Sequence, residues 1–253
     1  NISRRLQRAA STLLGEPCLF CLGLEGVDRG ICNRCLASLP WQAPGCLRCG
    51  VVSETDGEQE PLCHRCRSAP PPFDRCFAVF SYQQPISRQI SRLKDNGAFQ
   101  AGRVLGRLLA DAMSVHYQVV ASTKPGLLLP VPLHAGRLSM RGFNQASILA
   151  DCAGRRLGIR VLRQACQRLP GKHAQRALNS QARLANLGKL FTTNESCRLT
   201  YGKHVAIIDD VVTTTTTTRD MARVLRDAGA RRIDVWALAQ RNLTLSDTHT
   251  YEL

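Results

Sequence analysis

Val205-Ala-Ile-Ile-Asp-Asp-Val-Val-Thr-Thr-Thr-Thr-Thr217 is the stretch that decides how this chain folds. His204 to Ile208 reads as an apolar strand, with Asp209 and Asp210 at its C-terminal end. A threonine-rich loop leads into a helix whose Met221, Val224, Leu225 and Ala228 share one face, and Gly229 stops it. A loop at a helix N-terminus offers unpaired backbone N–H groups and the positive end of the helix dipole to an anion. Hydroxyls of Thr213, Thr214, Thr215, Thr216 and Thr217 add donors, and the two carboxylates are placed to accept hydrogen bonds from a sugar diol. The plainer alternative makes the acids a strand end and Thr217 a helix cap. Strand, acidic pair and threonine loop occurring together favour a phosphosugar site.

Outward from this unit, strands and helices alternate. Ile233 to Ala239 is nearly all apolar, as strands covered on both faces are. Upstream, Phe77 to Tyr82 reads as a strand, and Ile86, Ile90 and Leu93 mark a helix after Pro85. Ala98 to His116 forms a second helix with Leu105, Leu108, Leu109 and Ala112 on one face. Gly126 to Val131 is a buried strand ending in a Pro-Val-Pro turn. Ala146 to Leu157 is a helix closed by Gly158, and a short strand, Ile159 to Leu162, follows. This alternation predicts a mostly parallel sheet with ligands beyond the C-terminal ends of its strands.

The N-terminal part is built on other chemistry. Four Cys-x-x-Cys pairs, Cys18/Cys21, Cys32/Cys35, Cys46/Cys49 and Cys63/Cys66, are separated by ten, ten and thirteen residues. A two-residue gap lets a tight turn aim both sulfurs at one ion, and two such knuckles complete a tetrahedral site. Two structural zinc ions are the expectation. Four thiolates leave no open position for water, so the zinc is not catalytic. Sequential pairing (first with second, third with fourth) closes the shorter loops, while an interleaved pairing stays open. His64 is surplus as a ligand and is expected to be exposed; Cys76, Cys152, Cys166 and Cys197 are expected to be buried thiols. The Pro-rich stretch from Ala69 to Phe73 separates a zinc-ribbon module at 17–68 from an α/β domain at 76–241.

Charge narrows the partners. The formal net charge is +15, and from His134 to Thr200 there are 12 Lys/Arg against two acids, Asp151 and Glu195. A basic surface of this kind attracts polyphosphates or nucleic acid. No apolar run reaches the roughly 18 residues of a membrane span. Asn1 to Leu14 reads as a basic amphipathic helix rather than a signal peptide, so membrane insertion is not expected and the cytoplasm is the expected location.

The Val205–Thr217 stretch resembles the phosphoribosyl pyrophosphate (PRPP) signature of type I phosphoribosyltransferases. Pro130-Val-Pro-Leu-His134 with Arg137, then Arg141-Gly-Phe-Asn-Gln145, resembles the ComF family pattern P-V-P-L-x-x-x-R-x-x-x-R-G-F-N-Q. Arg168, Gln175, Leu178, Arg183, Asn186 and Phe191 continue that family's spacing, and the resemblance runs from Cys18 to about Arg241. It implies a type I phosphoribosyltransferase-like α/β domain after the ribbons. Asp209 and Asp210 would hold ribose, and the turn carrying Leu133 and His134 would be the pyrophosphate loop with Arg137 and Arg141 on the anion. Lys94 would reach a phosphate, and the stretch from Arg168 to Gln175 would cover the site. Magnesium would accompany PRPP. The resemblance further implies a role in DNA uptake during natural transformation, beside a competence helicase-type protein. Phosphoribosyl transfer, binding of PRPP or single-stranded DNA without turnover, and PRPP sensing are the three activities that fit.

Two positions depart from the family. Thr215 stands where it has Gly, inside the run of six threonines Thr213–Thr218, and Lys172 stands where a Thr is usual. If the loop needs positive φ at position 215, a β-branched residue there stores strain on the order of 1–3 kcal/mol.

Overall fold

The computed structural model describes residues 16–52, 62–120, 123–169, 190–213 and 215–241. In chain order the elements are β1 (Val27–Asp28), β2 (Ile31–Cys32), α1 (Asn33–Ala37), α2 (His64–Ser68), β3 (Arg75–Ser81), α3 (Ile86–Asn96), α4 (Phe99–Val119) and β4 (Leu127–Pro130). They continue with α5 (Ala135–Arg141), α6 (Gln145–Leu157), β5 (Arg160–Val161), β6 (Cys166–Arg168), β7 (Phe191–Thr193), a 3-10 helix (Glu195–Thr200), β8 (His204–Val212), α7 (Thr216–Asp227) and β9 (Arg232–Gln240). The Asn1–Leu14 helix, Lys172, Thr214 and the cover stretch beyond Leu169 lie outside the described residues.

The central sheet has five strands in the order β3-β9-β8-β4-β5, and every pairing is parallel. Apolar residues explain why it is covered on both faces. On β8, Ala206 and Ile208 join the core under α3, α4 and α6, while Val205 and Ile207 point into the opposite core under α7. On β9, Trp236 and Leu238 take the first side, and Ile233, Val235 and Ala237 the second. Each strand alternates with period 2 and buries both sets, so its sequence reads as one apolar run. Helices α4 and α6 pack closely because glycines face the contact. A Cβ at Gly106 would stand 2.6 Å from the Cys152 Cβ, and one at Gly102 would stand 2.7 Å from the Ile148 Cγ2.

The cysteine-rich part is seated on this sheet. Cys18, Leu19, Ile31 and Leu39 belong to the same buried cluster as Ile90, Val104 and Leu105. The Gln89 side chain donates to the Leu19 carbonyl at 3.4 Å. Residues 40–42 run along the outer edge of β3, where Ser81 N–H donates to the Pro40 carbonyl at 2.8 Å and Gln42 N–H to the Val79 carbonyl at 3.0 Å. The Gln240 side chain at the end of β9 donates to the Cys49 carbonyl at 3.1 Å. Among the described residues no helix is long and apolar enough to cross a membrane.

Two connections differ from the sequence expectation. The Pro-Val-Pro turn leads directly into a helix, α5, capped by His134, whose Nδ1 accepts from the Gly136 N–H at 3.2 Å. Leu138 and Met140 on α5 are exposed, so no apolar stripe betrays it in the sequence. The basic stretch after Leu162 holds the two-stranded antiparallel pair β6–β7, which seats Arg168 opposite Phe191.

Candidate functional site

The cysteines gather into two groups, Cys18, Cys21, Cys32 and Cys35, and Cys46, Cys49, Cys63 and Cys66. Within each group the four sulfurs lie within 4.8 Å of one another, which is the sequential pairing and not the interleaved one. Burial raises the Cys18 thiol, but backbone N–H groups of Cys21, Cys32 and Phe20 outweigh it and bring it down to about 6. Burial, with contacts to Cys32, Cys21 and Cys18, pushes Cys35 up to about 12. In the second group Cys46 is lowered to about 7 and Cys66 raised to about 12. Four thiols this close cannot ionise together without a cation, and four sulfurs in one shell suit a tetrahedral zinc ion. The donor set fits two structural zinc sites. His64 is exposed on α2, and Cys76, Cys152, Cys166 and Cys197 are buried outside both groups.

The second candidate centre lies beyond the C-terminal ends of β4 and β8. A cavity of ≈ 230 Å³ there is lined by Asp209 and Asp210 from β8, Lys94 from α3, Leu133 from the β4–α5 connection, Arg137 and Arg141 from α5, and Thr217 from α7. Gln145 and Arg168 complete its polar wall. A smaller concavity beside it is lined by Asp209, Thr213, Thr215, Thr216 and Thr217. His134 is spent on capping α5 and does not line the cavity. Asn144 holds the far wall. Its side-chain oxygen accepts from the Ala146 N–H at 3.0 Å as the α6 cap, and its side-chain nitrogen donates to the Val131 carbonyl at 2.9 Å. That double bond sets Gln145, the first residue of α6, against the acidic pair.

The two acids are treated differently. Lys94 Nζ lies 2.5 Å from Asp210 Oδ2, and Gln145 Nε2 donates to Asp210 Oδ1 at 3.4 Å. Asp209 Oδ1 accepts the backbone N–H of Asp210 at 2.9 Å. Burial, and then the charge of Asp210, holds the Asp209 carboxyl well above the usual range, with Lys94 opposing. Desolvation and the neighbouring Arg137 lower the Arg168 guanidinium, and Asp209 pulls the other way. The cavity therefore sets an acidic floor beneath a basic rim, which suits a ligand with hydroxyls at one end and phosphates at the other.

Thr215 adopts φ 60°, ψ 2°, the left-handed conformation that favours Gly. The turn it makes opens α7. Arg219 N–H donates to the Thr215 carbonyl at 2.7 Å, and the Thr218 hydroxyl donates to it at 2.9 Å. Of the residues singled out from the sequence, Gln145 was only the end of a motif. Its place in the site depends on α6 starting one residue earlier, at an Asn cap that sequence alone does not tie to the acidic pair.

The family profile of the double zinc ribbon domain matches residues 9–72. The chain is 31% identical over 224 residues to competence protein F of Haemophilus influenzae, covering 88% of this chain and 96% of that one. It is 30% identical over 211 residues to the DNA utilization protein YhgH of Escherichia coli K12, covering 83% of this chain and 90% of that one. Among solved structures, the purine phosphoribosyltransferase of Pyrococcus horikoshii is 15% identical with a TM-score of 0.34, covering 67% of this chain and 81% of that one.

Proposed function

The chain belongs to the competence protein F (ComF) family, and on that premise we propose that it binds PRPP in the cleft beyond β8 and serves DNA uptake in natural competence. The observation that carries this reading is the meeting of Asp209 and Asp210 with Lys94, Arg137, Arg141 and Arg168 around one cavity. In this reading Asp209 takes the ribose hydroxyls, the arginines take the pyrophosphate, and the loop from Thr213 to Thr217 takes the 5-phosphate on the N-terminus of α7. Magnesium bound with PRPP neutralises charge on the pyrophosphate. Transfer breaks the bond between ribose C1 and the pyrophosphate oxygen, whose electrons leave with pyrophosphate. The lone pair of an acceptor nitrogen closes the new bond to C1, and the acceptor sheds its proton. The side chains position and stabilise charge, so no nucleophilic residue is required.

Thr215 in place of the family's Gly supports weak PRPP affinity with little or no turnover, because its β-branched side chain crowds the close approach of a phosphate to the loop backbone. The net +10 between His134 and Thr200 supports single-stranded DNA as a second ligand class, on the basic surface rather than in the cleft. Residues 17–68 form the module that carries the zinc ions, and 76–241 the ligand-binding domain. The test is incubation with PRPP, magnesium and a panel of nucleobases, following pyrophosphate release beside a calorimetric titration. Heat of PRPP binding with little or no pyrophosphate release is expected, and no PRPP binding at millimolar concentration contradicts the reading.

A further inference from the structure

We propose that Gln145 reads the sugar. Its unpaired Oε1 receives the 2-hydroxyl of the bound phosphosugar, so the cleft takes ribose phosphates and discriminates against 2-deoxyribose phosphates. The inference rests on the phosphosugar reading of the cleft given above.

Gln145 lines the cavity, is only 6% exposed, and its Oε1 has no hydrogen-bond partner among the described residues. The amide orientation is set by chemistry. Nε2 faces Asp210 Oδ1 at 3.4 Å, and turning the amide over would set oxygen against a carboxylate oxygen. Oε1 is therefore the atom left without a donor. A buried acceptor in that state is costly, and a native structure that keeps one calls for a reason. The contact with Asp210 accounts for Nε2 and leaves Oε1 unexplained.

The surroundings say what the missing partner is. Asp210 cannot serve a ligand without losing a contact, because Lys94 holds Oδ2 and Gln145 holds Oδ1. Asp209 accepts the Asp210 N–H on one oxygen and lines the cavity. The acceptors left to a ligand at this cavity are thus Asp209 and Gln145 Oε1, beside Lys94, Arg137 and Arg141. The cations take phosphate. A neutral amide oxygen gains from an O–H donor and nothing from a phosphate oxygen. A ribose phosphate brings a 2-hydroxyl donor together with an anion, whereas a 2-deoxyribose phosphate, which keeps its other hydroxyls, has none at the position that Oε1 receives. A site built to hydrogen-bond a hydroxyl rejects the analogue that lacks it. A DNA backbone, which carries phosphates and no sugar hydroxyl along its length, is the wrong ligand for this cleft.

The experiment titrates the full zinc-loaded chain with ribose 5-phosphate and with 2-deoxyribose 5-phosphate, calorimetrically and in parallel. Wild type is expected to prefer ribose 5-phosphate by about 5- to 150-fold. Gln145→Leu and the longer Gln145→Met should bring the two within about threefold by weakening only the ribose ligand, since the lost hydrogen bond is the one the deoxy ligand never makes. Equal affinities in wild type overturn the assignment without using any variant. A preference that survives both substitutions moves the reading of the hydroxyl to another residue and also overturns it. Failure to bind either sugar phosphate, and PRPP as well, brings down the phosphosugar reading together with this one, an outcome distinct from equal binding.

Discussion

Asp234 and Asp209 sit on neighbouring parallel strands, at opposite ends of the same sheet, and the protein treats them in opposite ways. Asp234, near the start of β9, is fully buried and fully served. Tyr117 Oη donates to its Oδ2 at 2.5 Å, the His204 Nε2 lies 2.9 Å from the same oxygen, and Arg232 Nε is 3.2 Å from Oδ1. Trp236 Nε1 in turn donates to Tyr117 Oη at 3.3 Å. Burial raises the Asp234 carboxyl, but the hydrogen bonds from His204 and Tyr117 outweigh it and hold it below the usual range. Asp209, at the other end of β8, has one backbone donor, and burial together with Asp210 drives it up. A satisfied acid holds the sheet together, and an underserved acid beside a cavity awaits a partner. Both are carboxylates on β-strands, Asp234 fully buried and Asp209 half-buried, and the partners set them apart.

Asp234→Asn should produce the largest effect on stability. Removing a fully buried charge leaves Arg232 and His204 without their anion and costs about 3 kcal/mol or more, read by urea denaturation. The sign with pH follows from the lowered carboxyl. Its contribution is full above the ordinary aspartate pKa and is lost as pH falls through the lower folded value, so the gap between wild type and variant closes in acid. PRPP affinity of the folded variant should stay within about twofold, because the network lies at the far end of the strands from the cleft and makes no contact there. A large loss of PRPP binding in this variant breaks the comparison.

Thr215→Gly comes next and acts on the other end alone. The left-handed strain is already present in the ligand-free loop, so removing it should stabilise the protein by about 1–3 kcal/mol, read by thermal melts. A melt that shows no gain means that Thr215 does not store that strain.

Asp209→Asn is the smallest and the most revealing of the three. A carboxyl raised in the folded state penalises folding once pH exceeds its unfolded pKa, so the neutral amide should stabilise the protein by about 1 kcal/mol near pH 7. Thermal melts should show that gain shrinking as pH falls and vanishing below about pH 3, where the carboxyl is protonated in both states. A loss of stability at pH 7 would place Asp209 with Asp234 as a structural acid.

Much of the sheet is legible in the sequence, and the network that separates the two acids is not. The strand from His204 and the helix closed by Gly229 follow from apolar spacing, and β9 is recognisable from its nearly all-apolar run. Asp234 interrupts that run without any local sign of its partners, which come from α4, β8 and its own strand. The cysteine spacing announces two four-sulfur groups but leaves their pairing open until the chain is folded. At the cleft, the acidic pair and the basic residues can be picked out one by one. The ion pair of Lys94 with Asp210 and the seating of Gln145 cannot, because each joins residues more than sixty positions apart. Helix α5 was invisible because its turn-side cap, His134, replaces the apolar stripe that usually marks a helix.

The central proposal, that the acidic pair at the C-terminal end of β8 builds the ligand site, Asp209 by receiving the ligand and Asp210 by holding Lys94 and Gln145, while Asp234 holds the sheet, is tested most directly by titrating the Asp209→Asn, Asp210→Asn double variant with PRPP and magnesium. The account predicts a folded protein with its two zinc ions retained and no measurable PRPP binding. Normal PRPP affinity in that variant would contradict it.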